Sequence, residues 1–167
     1  RFTLKLSRGA LAAAAFLSFG ATAADEAQTP TTLAGGKIIS VEEGKKLLDA
    51  KASFVDTRSV VNFGKGHVPG ALTASYKEKS DKVPAFDAKL DSFELDKLPK
   101  DKSAPVVIYS DGPSGWKSYK AAVLAIGAGW KSVYYMRGGM ADCGSRSRSS
   151  AARRTTLAGS TLVSLVR

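Results

Sequence analysis

Pro105-Val106-Val107-Ile108-Tyr109-Ser110-Asp111-Gly112-Pro113-Ser114-Gly115-Trp116-Lys117-Ser118 is the stretch that decides the fold. Its first part is a continuous β-branched and aromatic run with no residue set aside for water, which predicts a strand buried on both faces. A loop containing Gly and Pro follows. Residues Trp116 to Ile126 then predict a helix with a small-residue face, stopped by Gly127 and Gly129. A doubly buried strand that passes through a loop into a helix is the repeating unit of a parallel α/β sheet.

The same alternation extends in both directions. Downstream, Ser132-Val133-Tyr134-Tyr135-Met136 predicts another strand. Upstream, short strands are predicted at Lys37–Ile39, Ser53–Asp56 and Ala71–Ser75. Ser40 and Glu43 form a capping-box pair, and Val41, Gly44, Leu47 and Leu48 follow at helical spacing, so a helix is predicted from Val41 to Ala50. Ser59 to Phe63 predicts one helical turn, and Gly64, Gly66, Pro69 and Gly70 predict a loop. Residues Lys77 to Lys102 are rich in charge, with Phe86, Leu90, Phe93 and Leu95 unevenly spaced; one helix is expected there, bounded by Pro84 and Pro99. Together these elements predict an α/β domain, a five-stranded parallel sheet with helices on both faces.

Composition narrows the classes. Over 167 residues, 44% are apolar and 24% charged. That balance excludes a wholly disordered chain, a collagen-like repeat and a multi-span membrane protein. A single Cys rules out an intrachain disulfide and a Cys-based zinc cluster, and a single His rules out a multi-His metal site. No phosphate-loop motif or ligand cluster is visible, so no metal and no cofactor is expected.

The net charge of +10 suggests nucleic acid at first sight, but its placement argues otherwise. Residues 1–23 carry Arg1, Lys5 and Arg8 and no acid. Residues 24–142 carry 15 Lys and 2 Arg against all 15 acids, and so are nearly neutral. Residues 143–167 carry five Arg and no acid. The first segment reads as a secretory signal peptide: a basic start, an apolar run from Ala10 to Phe19, and Ala21-Thr22-Ala23 as the cleavage motif. The run is too short to span a bilayer, so no stable membrane insertion is expected once it is removed. Cleavage is expected after Ala23, which makes the mature protein periplasmic or secreted. The first residue is not Met, so the start of the gene product is expected to be missing. Residues 24–36 are polar, with Pro30, three Thr and two Gly, and read as a linker. The domain then runs over residues 37–142.

In parallel α/β sheets ligands bind outside the carboxyl ends of the strands. Three polar features fall there: Asp56-Thr57-Arg58, Gly66-His67-Val68-Pro69-Gly70-Ala71, and the loop from Ser110 to Ser118. A strand-to-helix loop of this kind turns backbone N–H groups inward beside the positive end of a helix, which suits an anion or a thiolate. Within it Lys117 is the expected anion contact. Asp56, Arg58 and His67 are expected in the site wall, Asp56 and Arg58 as a structural pair and His67 as a hydrogen-bonded loop residue, with Trp116 and Trp130 as packing residues.

Five segments, in this order and spacing, resemble the rhodanese (sulfurtransferase) family over about Ile38 to Asp142. They are Phe54-Val55-Asp56-Thr57-Arg58; Gly66-His67-Val68-Pro69-Gly70-Ala71; Val106-Val107-Ile108-Tyr109; Lys117-Ser118-Tyr119-Lys120-Ala121-Ala122; and Gly129-Trp130-Lys131-Ser132-Val133-Tyr134 with Arg137-Gly138-Gly139-Met140. The resemblance implies a three-layer sandwich. It also implies an activity in which a loop Cys accepts a sulfane sulfur from a donor and passes it to a thiophile. That Cys directly follows the strand, and Ser110 stands at its position. A related subgroup carries a second Cys at the position of Gly115. A hydroxyl cannot hold a sulfane sulfur as a soft thiolate does. The loop is also about two residues longer than the common sulfurtransferase loop, and Lys117 stands where the family often has Arg.

The expectation is therefore a rhodanese-like domain without sulfurtransferase turnover. Such a domain acts as a binding module through Asp111, Gly112, Pro113, Ser114, Gly115, Trp116, Lys117 and Ser118. Its partner is a small anion or sulfur-carrying molecule, or a periplasmic protein, and not nucleic acid. The alternative is an active sulfur-transfer or hydrolytic enzyme that uses Ser110 as nucleophile or a thiol supplied in trans. After Asp142 the text changes from Lys-rich to Arg-rich, from Cys143 through Arg146, Arg148, Arg153 and Arg154 to Arg167. That tail reads as disordered. A reading-frame shift or sequencing error at the codon for residue 143 is the expected cause, and a basic arm for nucleic acid or anionic lipid is the alternative.

Overall fold

The computed structural model describes residues 27–144. The expected signal peptide of residues 1–23 and the Arg-rich stretch from residue 145 onward lie outside the described residues.

Five strands form one sheet: β1 (Lys37–Ile39), β2 (Ser53–Asp56), β3 (Leu72–Thr73), β6 (Val106–Tyr109) and β7 (Val133–Met136), in the order β1-β7-β6-β2-β3. All four pairings are parallel, and Asp56 lies beside Tyr109 where β2 meets β6. Helices α1 (Val41–Asp49), α2 (Val60–Lys65) and α3 (Trp116–Gly127) accompany them. The predicted α/β sheet is the one observed.

The central strand shows why a continuous apolar run was required. Val106 and Ile108 point into a cluster with Trp116, Tyr119, Ala121, Ala122 and Ala125 of α3. Val107 and Tyr109 point the other way, with Phe54 and Met136, and Val41, Leu47 and Leu48 of α1 pack on that side. All four β6 side chains are fully buried. Alternation at period two thus feeds two cores, with α3 on one face and α1 on the other.

Helix α1 begins as its capping box dictates. The Ser40 N–H donates to Glu43 Oε2 at 2.8 Å, and the Glu43 N–H donates to Ser40 Oγ at 3.3 Å. Its Gly44 lets the helix settle on the sheet, since a Cβ there would lie 2.7 Å from Met136 Sδ.

One expected element does not form. No α-helix lies within residues 77–102. Instead β4 (Tyr76–Lys77) pairs antiparallel with β5 (Ser92–Phe93), followed by a 3₁₀ turn at Leu95–Lys97. The apolar residues lack helical periodicity because this segment is organised around a polar centre. Asp91 accepts from the Tyr76 hydroxyl at 2.7 Å, from the Ser80 hydroxyl at 2.6 Å, and from the N–H groups of Lys79 and Ser80. Lys120 of α3, wholly buried, reaches Glu78 at 2.8 Å and Ser80 Oγ at 2.9 Å. A buried ammonium is tolerated only when paired and hydrogen-bonded in this way.

That centre predicts an acid-sensitive segment. Burial alone would raise the Asp91 carboxyl, but the donors from Ser80, Lys79 and Tyr76 outweigh it and hold the group well below the usual carboxylate range. The folded value lies below the unfolded one of about 3.9, so Asp91 stabilises the fold above about pH 4 and loses that contribution as pH falls further. Denaturant titrations from neutral pH down to about pH 2 are expected to show this loss in the parent chain. The Asp91→Asn variant should be weaker at neutral pH and flatter across the acid range.

Residues 27–36, read as a linker, lie against the domain. Thr29 is buried, and so is Leu33. Helical residues 139–144 follow β7, and Cys143 packs at the edge of the α1-side core. No helix among the described residues is long and apolar enough to cross a membrane.

Candidate functional site

Sheet order fixes where the site lies. The chain leaves β2 towards β3 on one side and leaves β6 towards β7 on the other, so neighbouring strands β2 and β6 flank the point where the winding reverses. The carboxyl ends of those strands open the crevice in which such sheets bind ligands. Asp56, Thr57 and Arg58 end β2, and Ser110 ends β6.

Asp56 is fully buried and Arg58 nearly so. The guanidinium grips the carboxylate through Nη2 to Oδ2 at 2.7 Å and Nε to Oδ1 at 3.0 Å, and Nη2 also donates to the Gly66 carbonyl at 2.7 Å. The hydrogen bond to Asp56 raises the Arg58 pKa further, against the opposing effect of burial. Nη1 stands 3.6 Å from Asp111 Oδ1. One arginine therefore ties the end of β2 to the 66–70 loop and to the loop after β6.

The Ser110 side chain sits under that second loop. Its Oγ lies 2.7 Å from Ser118 Oγ and 3.2 Å from the Gly115 carbonyl, and Ser118 Oγ donates to the same carbonyl at 3.0 Å. Three oxygens share two hydroxyl protons. No general base is among the partners of Ser110, and a serine becomes a nucleophile only with one. The residue is 2% exposed. Gly115 must lack a side chain, because a Cβ there would overlap Ser110 Oγ and stand 2.9 Å from the Gly112 carbonyl.

The loop is held from outside by the N-terminal stretch. Thr29 donates through N and Oγ1 to the Pro113 carbonyl at 2.9 and 2.8 Å, the Trp116 indole donates to the Ala27 carbonyl at 2.6 Å, and Arg137 Nη2 donates to the Thr29 carbonyl at 3.0 Å. From the C-terminal side, the N–H groups of Met140 and Ala141 donate to the carbonyls of Ser110 and Asp111 at 3.0 and 2.8 Å.

A pocket of about 300 Å³ opens beside the loop, lined by Ser110, Asp111, Ser114, Gly115, Trp116 and Lys117 together with Glu78 and Lys82. The loop residues expected at the site thus meet in one place, with Gly112, Pro113 and Ser118 in the loop's frame. Arg58 and Asp56 are paired with each other, with Arg58 Nη1 3.6 Å from Asp111 Oδ1 of the loop. His67 is elsewhere: its Nδ1 lies 2.9 Å from the Phe63 carbonyl, its ring stacks on Phe63, and it lines a different cavity. Trp116 is buried with its indole spent on Ala27, and the Trp130 indole donates to Pro99. Glu78 and Lys82 were missed because they belong to the 77–102 segment, whose polar folding leaves no periodic mark.

The sequence model of the rhodanese-like domain family matches residues 40–146. This chain is a member of the rhodanese-like domain family. No curated protein matches it significantly. The rhodanese-like domain accounts for the parallel sheet and for the loop after β6. The match runs a few residues past Asp142, and Cys143 lies inside it. Burial pushes the Cys143 thiol up, with the Asp142 charge adding to the effect.

Proposed function

We propose that this rhodanese-like domain binds a ligand at the β6–α3 loop and does not carry sulfur on residue 110. The observation that supports this is the state of Ser110: a hydroxyl at the family's thiol position, buried and bonded to Ser118 and the Gly115 carbonyl. A persulfide needs a polarisable sulfur with an accessible thiolate, and an alcohol provides neither.

The ligand is a small anion or sulfur-carrying molecule, or a group of that chemistry on a protein partner. Lys117 and Lys82 at the pocket, next to the N-terminus of α3, supply the attraction, while Asp111 and Glu78 set a limit on the negative charge that can enter. The export pattern of residues 1–23 supports a site outside the cytoplasm.

Steady-state transfer of sulfur from thiosulfate to cyanide tests this reading. The parent chain and its Ser110→Ala variant are expected to stay equally at background. Turnover in the parent that the variant loses would establish Ser110 as a working nucleophile and overturn the proposal.

A further inference from the structure

We propose that the cavity between α1 and residues 139–144 binds a monovalent soft metal ion of the copper(I) class through Cys143, Met140, Met136 and His67. The chain holds one Cys, one His and two Met, and all four line this one cavity of about 360 Å³. It shares no lining residue with the pocket beside Ser110.

The placement suits coordination. Met140 and Cys143 are three residues apart in a helical stretch, so they share a face. Met136 ends β7 with its sulfur over Gly44, where the missing side chain leaves room. Unbranched thioether chains can swing into the cavity. His67 has Nδ1 2.9 Å from the Phe63 carbonyl and its ring stacked on Phe63 at 3.8 Å. With Nδ1–H given to that carbonyl, Nε2 keeps the lone pair, which is how metal-binding histidines are oriented.

The chemistry of the donors selects the ion. Thiolate and thioether sulfurs favour copper(I) over hard or divalent cations. On binding, Cys143 gives its proton to solvent and its sulfur forms the metal bond, so a monovalent ion leaves a neutral site. The surrounding wall of Val41, Leu48, Phe54 and Val68 tolerates that neutral site and would penalise the residual charge of a divalent ion. Lys45 at the rim is paired with Asp49 at 3.0 Å. Among the described residues no group of three or more His, Cys, Asp or Glu is placed for a metal, so a site here depends on the thioethers.

Silver(I), a redox-inert ion of the same charge and softness, added to the full chain in thiol-free buffer provides the test. One equivalent is expected to survive desalting. The methyl resonances of both methionines and the His67 ring should move together, in step with metal added. Met140→Leu keeps the bulk and removes one sulfur, and is expected to weaken binding by at least about ten-fold. Failure of the folded protein to retain silver would overturn the proposal. So would retention with unmoved methyl and ring signals and full affinity in Met140→Leu, the mark of a lone thiol adduct.

Discussion

Arg58→Met is expected to cost about 3–5 kcal/mol of folding stability, because it leaves a buried carboxylate without its counter-ion. Asp56 is wholly buried, and both the guanidinium and the backbone N–H of Arg58 donate to it. A loss of that size is a large share of the about 5–15 kcal/mol that holds a domain of this kind together. Arg58→Lys should recover little, since an ammonium cannot reproduce the fork that spans both carboxylate oxygens and the Gly66 carbonyl. Removing both charges, as Asp56→Leu with Arg58→Met, should be milder than removing the arginine alone, because no uncompensated charge remains. Urea titration of the four proteins measures this. Equal stability of Arg58→Met and the parent would show that the pair does not brace the site wall.

The second large effect is expected at Gly139. Its φ of +51° is in the left-handed region, and a Cβ there would overlap the Ser110 carbonyl oxygen and stand 2.9 Å from the Asp111 carbonyl carbon and the Gly112 nitrogen. These are backbone atoms that cannot rotate away. Gly139→Ala therefore combines left-handed strain with overpacking, together about 2–5 kcal/mol. The damage should centre on the loop, since the hydrogen bonds from Met140 and Ala141 to Ser110 and Asp111 start at this turn. Gly127→Ala is the control: a Cβ there meets nothing within 4 Å, and in the last turn of α3 alanine should be neutral or slightly stabilising. Amide exchange on both variants distinguishes a loosened loop from a uniformly weakened domain.

Most of the sheet was legible because its strands carry their own evidence. Val106 to Tyr109 must be buried on both sides, and no helix or loop reading accommodates four such residues between Pro105 and Ser110. The start of α1 was equally plain, since a capping box is a local device that needs nothing from the rest of the chain. The segment from Tyr76 to Phe93 was illegible for the opposite reason. Its order comes from Asp91, Ser80, Glu78 and a lysine on a distant helix, contacts without a period in sequence. The docking of Thr29 on Pro113 was hidden in the same way, because a threonine among threonines and glycines reads as a linker. At the site, the sequence placed the loop and named Ser110. It could not place Glu78 or Lys82, nor show that His67 faces away towards Cys143 and the methionines.

The proposal that residue 110 carries no sulfur is tested most directly by the intact mass of the protein after exposure to excess thiosulfate, with the Ser110→Cys variant alongside. The parent chain is expected to keep its mass, and the variant to gain one sulfur atom that cyanide removes. A parent chain that gains a cyanide-labile sulfur mapping to residue 110 or to the loop up to Ser118 would contradict the account.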